Sequence, residues 1–88
     1  MIVREYHTYL KLERGLSNNS IAAYELDLKR LQDYMDSHQI DIVHASFDDL
    51  QNFVFETFKS ISSAKTQARL LSSIHSFYRF LLYHQYIQ

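Results

Sequence analysis

The sequence predicts an all-α fold, a compact bundle of four helices around one core. Three observations carry the prediction. The 88 residues include no proline and one glycine, so there are few places at which a helix must break. Apolar residues recur at steps of three and four along most of the chain, which is the period of a helix face. The alternating β-branched runs that mark strands do not occur.

The elements follow in order. The first helix is expected over residues 2–13, with Ile2, Val3, Tyr6, Tyr9 and Leu10 inward, and it stops at Gly15, the one residue free to take a positive φ. Ser17 caps the second helix, where Ile21, Tyr24, Leu28, Leu31 and Met35 form the most regular apolar stripe, running to about Ser37. Leu26 lies on the outer face of this helix, against the pattern. Residues 38–45 make the one long connection. Ser46 with Asp49 forms a capping box with the shorter acid, and Phe47, Leu50, Phe53, Val54 and Phe58 give the third helix its apolar face to about Lys59. Ser62 or Ser63 opens the fourth helix, which continues to about His84 and turns Leu70, Leu71, Ile74, Phe77, Tyr78 and Leu81 toward the core.

Several function classes find no support. Without cysteine, disulfides, thiolate zinc sites and cysteine nucleophiles are excluded. A core built from six Phe, seven Tyr and many Leu and Ile requires no metal to fold. No run has signal-peptide or membrane-span length, which predicts a soluble, cytoplasmic domain with no membrane partner. Five histidines, at positions 7, 38, 44, 75 and 84, lack metal-ligand spacing. The carboxylates are scattered, and a single glycine cannot build a phosphate loop. No catalytic residue, cofactor or metal site is predicted.

The formal net charge is −1, but it is unevenly distributed. Residues 1–16 carry +1, residues 17–38 carry −2, residues 39–61 carry −3 and residues 62–88 carry +3. The last segment holds Lys65, Arg69 and Arg79 without an acid. Wound as a helix, it repeats Lys65, Arg69, Ser72, Ser76 and Arg79 opposite its apolar stripe. Two readings compete for this polar face. A solvated face is the common one, yet such faces mix signs and favour Glu with Lys. An acid-free strip with short intervening side chains suits a phosphate backbone. Helix two carries a weaker version, with Asn19, Ala23 and Arg30 outward and Asn18, Asn19 and Ser20 at its N-terminus, where capping is the competing reading.

Two stretches carry a family resemblance. Glu13-Arg14-Gly15-Leu16-Ser17-Asn18-Asn19-Ser20, followed by Ala23-Tyr24 and Asp27-Leu28, is similar to the opening of the core-binding domain of Xer-type tyrosine recombinases, the phage-integrase-like site-specific recombinases. Ala68-Arg69-Leu70-Leu71-Ser72-Ser73-Ile74, with Phe77-Tyr78 and Leu81, resembles a later helix of the same domain. The order and separation of the two agree, and the resemblance covers nearly the whole chain. Ser20 stands where threonine is usual and His75 where arginine is common.

The resemblance implies a SAM-like, non-catalytic DNA-binding domain forming half of a clamp around a recombination site. Its second and fourth helices would approach the major groove and flanking phosphates through Asn19, Ser20 and Arg30 and through Lys65, Thr66, Arg69, Ser72, Ser73 and Arg79. Residues 1–88 would be a single domain at the N-terminus of a longer recombinase, with the catalytic domain beginning beyond a linker near Tyr86-Ile87-Gln88. The implied partners are a double-stranded DNA recombination site and other recombinase protomers on it, the isolated domain being monomeric. A different class of reading is a helical protein-interaction module, with apolar residues of helix one and Phe80, Leu82, Tyr83 and Tyr86 docking onto a protein.

Overall fold

A computed structural model describes residues 2–87; Met1 and Gln88, the latter in the expected linker, lie outside the described residues. Helix α1 spans Ile2–Thr8 and continues as one wider π-helical stretch, Tyr9–Glu13. The Arg14 N–H reaches back to the Tyr9 carbonyl at 3.0 Å, and the Leu16 N–H closes on the Leu10 carbonyl at 3.0 Å. Between them Gly15 takes φ 63°, the left-handed conformation that stops the helix. Helix α2 then runs Asn18–Ser37, capped by the Ser17 hydroxyl, which accepts from the Ser20 N–H at 3.2 Å.

The end of α2 repeats the α1 stop without a glycine. Gln39 sits at φ 59°, and the Ile40 N–H returns to the Met35 carbonyl at 2.8 Å. The same device ends the last helix, with Gln85 at φ 62° and the Tyr86 N–H on the Leu81 carbonyl. A 3-10 turn, Ile42–His44, occupies the connection. Helix α3 covers Phe47–Phe58 behind the expected capping box: Ser46 Oγ accepts from the Asp49 N–H at 3.1 Å, and Asp49 Oδ2 accepts from the Ser46 N–H at 2.9 Å. Helix α4 spans Ala64–Tyr83 and is capped by Ser63.

These elements form a flattened body, 33 × 29 × 17 Å, whose long helices α2 and α4 pack against each other. Tyr6, Tyr9, Phe77 and Phe80 make an aromatic cluster between α1 and α4, with Tyr6 edge-on to Phe77 at 5.2 Å. Leu10 of the wide turn after α1, Ile21, Leu28, Leu31 and Met35 of α2, Ile42 of the connection, Phe53 of α3, and Leu70 and Leu81 of α4 complete the core. The Tyr78 hydroxyl donates to the Ile42 carbonyl at 2.6 Å and ties the connection to α4.

Three residues expected inside lie outside: Val3 is 51%, Phe47 76% and Leu71 48% exposed. Val3 and Phe47 stand in first helical turns at the edges of their stripes; Val3 only borders a shallow concavity against Leu28 and Lys29 of α2. Leu71 has a different cause. The buried side of α4 is turned toward Ser73, Ser76 and Phe80, so that Phe80, expected to be free for docking, is fully buried. Small inward serines let neighbouring elements approach closely, and their hydroxyls find partners described below. Leu26 is 49% exposed, on the outer face where the sequence placed it.

Candidate nucleic-acid interface

Helix α2 carries a carboxylate into the interior. Asp27 is 1% exposed, and it faces α4 because the Tyr24–Leu28–Leu31 stripe next to it packs there. A buried carboxylate is tolerated only when its oxygens are matched by donors. Arg69 supplies two, Nε to Oδ2 and Nη2 to Oδ1, each at 2.9 Å, and Ser73 Oγ donates to Oδ2 at 2.6 Å. Arg30 Nη1 approaches Oδ1 to 3.5 Å as an ion pair without hydrogen-bond geometry. The hydrogen bonds to Asp27 favour the charged Arg69 guanidinium and push its pKa further up.

A second cation reaches α4 from outside that helix. Arg14 Nη1 donates to Ser76 Oγ at 3.0 Å, across 62 positions of chain. The wide turn before it sets this direction. Had residues 9–13 wound at the roughly 100° per residue of an α-helix, Glu13 would take the direction that Arg14 takes. Glu13 instead points away, toward His84 at 3.4 Å. Arg14, Tyr24, Ser72, His75, Ser76 and Arg79 line an open concavity of about 550 Å³ with Leu71 at its rim, and among the described residues no carboxylate lines it. Inside it Arg79 Nη2 donates to His75 Nε2 at 2.9 Å.

The residues expected to meet DNA fall into three groups. Lys65, Ser72 and Arg79 are exposed along α4 and Asn19 at the start of α2. Arg30, Arg69, Ser20 and Thr66 are half-buried; Ser20 Oγ accepts from Ser17 Oγ at 3.1 Å, and Thr66 lies in the first turn of α4 behind the Ser63 cap. Ser73 is buried with its hydroxyl on Asp27, so its role in these geometries is to hold α2 to α4. Sequence reading missed Arg14 and Tyr24 as members of this face. Arg14 lay in the stretch flanking Gly15, but nothing in its spacing said that the turn ahead of it would be wide. Among the described residues no three His, Cys, Asp or Glu side chains gather in a metal-binding arrangement, and no helix is long and apolar enough to cross a membrane.

Comparison with known proteins agrees with this architecture. The chain is 40% identical to a tyrosine recombinase XerD of Staphylococcus aureus (strain Mu50 / ATCC 700699), over 97% of this chain and 29% of the relative. A tyrosine recombinase XerD of Staphylococcus epidermidis is 38% identical over the same shares. The chain thus spans less than a third of the length of the curated relatives it matches. No solved structure matches it. Residues 3–85 match the family described as phage integrase, N-terminal SAM-like domain, and with that match spanning nearly the whole all-α chain, the protein belongs to this family.

Proposed function

We propose that this domain binds duplex DNA and positions a site-specific tyrosine recombinase on its recombination site, without itself performing strand cleavage. The observation that carries the reading is the acid-free concavity on α4, where Arg14 and Arg79 stand beside the short hydroxyls of Ser72 and Ser76. Cations separated by short hydroxyl-bearing residues let a phosphate backbone come close, and such contacts set position while base-edge contacts set sequence preference. Lys65, Arg69 and Arg30 extend the cationic surface along α4 and α2, and Asn19 and Ser20 add polar groups at the start of α2. Ser73 acts indirectly, through Asp27 and Arg69.

In this reading residues 1–88 are the N-terminal domain of a longer cytoplasmic recombinase that acts in DNA integration or recombination, its chemistry residing in a catalytic domain outside this sequence. Its partners are the DNA site and other recombinase protomers. Fluorescence anisotropy with a labelled duplex across a salt series tests it: about three to five phosphate contacts give log K falling with log salt at a slope of roughly −3 to −4. A flat response, or no binding at low salt, would sink the reading. Incubation with supercoiled DNA is expected to leave it un-nicked.

A protein-docking role keeps one observation in its favour. Leu82 and Tyr83, at the end of α4, are 56% and 72% exposed, although Phe80 has been withdrawn into the core. Self-association on DNA that is lost in a Leu82→Ala, Tyr83→Ala double variant, with DNA binding by the monomer retained, would assign that surface to protomer contact.

A further inference from the structure

His75 differs from its counterparts in what faces it. His7 lies 2.9 Å from Glu25, His44 3.0 Å from Asp41 and His84 3.4 Å from Glu13, so each of these has a carboxylate to accept a hydrogen bond from its ring. His38 lies against the Tyr34 carbonyl and the Ser37 hydroxyl. His75 alone among the described histidines faces a cation, accepting from Arg79 Nη2. An imidazole can accept that hydrogen bond only through an unprotonated nitrogen. In the free concavity Nε2 of His75 therefore serves as an acceptor, and the contact turns Arg79 toward the histidine.

An arriving phosphodiester changes both terms. Its oxygens accept from Arg79 more strongly than a neutral ring does, since the bond is charge-assisted at both ends. Released from Arg79, the His75 ring can take up a proton and donate to the same anion. The groups that bear on this titration come from every side of the ring. They are Arg79 on α4, Arg14 from the α1–α2 connection, Tyr24 of α2, Tyr78 with its hydroxyl directed away to the Ile42 carbonyl, and, behind Tyr78, the carboxylates of Asp41 and of Asp49 on α3. Among the described residues no carboxylate lines either of the two concavities that His75 borders, so before the anion arrives no acid there directly faces the ring.

Building on the DNA-binding reading, we propose that Arg14, His75 and Arg79, with Ser72, form a seat for one backbone phosphodiester, and that filling the seat takes up a proton on His75. Binding is then linked to pH through the range in which histidine ordinarily titrates. The proton balance is simple. One proton passes from solvent to the imidazole, none leaves the phosphate, and no covalent bond is made or broken.

The test is anisotropy of a labelled duplex oligonucleotide at fixed low salt, at pH 6 and pH 8, with His75→Gln and His75→Arg beside the unaltered chain. Glutamine keeps an acceptor for Arg79 but cannot titrate, and arginine carries its charge throughout. The unaltered chain is expected to bind about three- to tenfold more tightly at pH 6, the size of one linked proton at a close contact. His75→Gln should lose most of that dependence and stay at the weaker level, and His75→Arg should lose it and stay at the tighter level. Binding that is present but equal at both pH values, or a pH dependence that survives in His75→Gln, overturns the seat while leaving DNA binding intact. Absence of binding by all three proteins at every pH overturns the DNA reading and the seat with it. His75 is exposed, and circular dichroism of each variant should match that of the unaltered chain.

Discussion

Asp27 and Arg69, 42 positions apart, meet in two hydrogen bonds of 2.9 Å each. The carboxylate is fully buried while the guanidinium keeps about a third of its side chain exposed, so one pair joins the interior to the face proposed for DNA. Ser73 adds a third hydrogen bond to the same carboxylate. With donors matched to its oxygens, the Asp27 side chain is accommodated between two packed helices.

Asp27→Ala should therefore be one of the most damaging single changes outside the apolar core. It leaves Arg69, Arg30 and the Ser73 hydroxyl without their partner, and breaking such a buried pair costs about 3 kcal/mol. A lower urea midpoint with an unchanged slope is the expected result. Asp27→Asn, which keeps one acceptor oxygen and turns the other into a donor without the charge, should fall between the unaltered chain and Asp27→Ala.

The two arginines of α4 should separate by role. Arg79→Ala removes an exposed cation and is expected to weaken duplex binding for all sequences alike, lowering the magnitude of the salt slope by about one, with the thermal midpoint unchanged. Arg69→Ala should lower stability by about 2 kcal/mol or more, because it strands Asp27. Paired thermal melts and salt titrations of both variants check this.

Burial gives the domain an alkaline limit. The Tyr6 hydroxyl lies beside Ser76 without hydrogen-bond geometry, and desolvation pushes its pKa from 10.0 up to about 12. Burial raises Tyr78 further in the same direction. For both groups the folded state favours the protonated phenol, so their contribution to stability is complete below pH 10 and declines as pH rises toward and beyond 12. Unfolding that brings on tyrosinate absorbance in this window is expected. Tyr6→Phe should delay it and leave stability at neutral pH equal or higher by about 1 kcal/mol, since it removes a buried hydroxyl that lacks a partner.

Helix ends should respond with opposite signs. A Cβ at Gly15 would meet no atom within 4 Å, yet φ there is 63°, so Gly15→Ala should cost about 1 kcal/mol from backbone strain alone. Gln39 already bears that strain at φ 59°, and Gln39→Gly should raise stability by about 0.5 kcal/mol, the relief being partly offset by a more flexible unfolded chain. Urea unfolding of both variants compares them directly.

What could be read from the sequence was what short-range chemistry determines. The Ser46–Asp49 box, the Ser17 cap and the Gly15 stop depend on residues within a few positions of one another, and each appears where its spacing placed it. The rotation of α4 did not follow from local pattern, because hydrophobicity puts Leu71 inside and Ser76 outside. Partners 46 and 62 positions away, Asp27 for Ser73 and Arg14 for Ser76, reverse that assignment. Asp27 looked like one more surface acid for the same reason. Gln39 and Gln85 were invisible as helix stops, since glutamine carries no preference for the left-handed region that glycine does.

The wide turn at Tyr9–Glu13 has a bearing on how this domain can vary. A π-helical turn holds one residue more than the α-helical turn it replaces, and here the surplus is followed by a cation aimed at Ser76. Removing an outward residue such as Leu12, 74% exposed, would let the segment tighten into ordinary α-helix and still deliver Arg14 in nearly the same direction. The first helix thus contains its own slack, so that a one-residue change in length need not reorient a charged side chain.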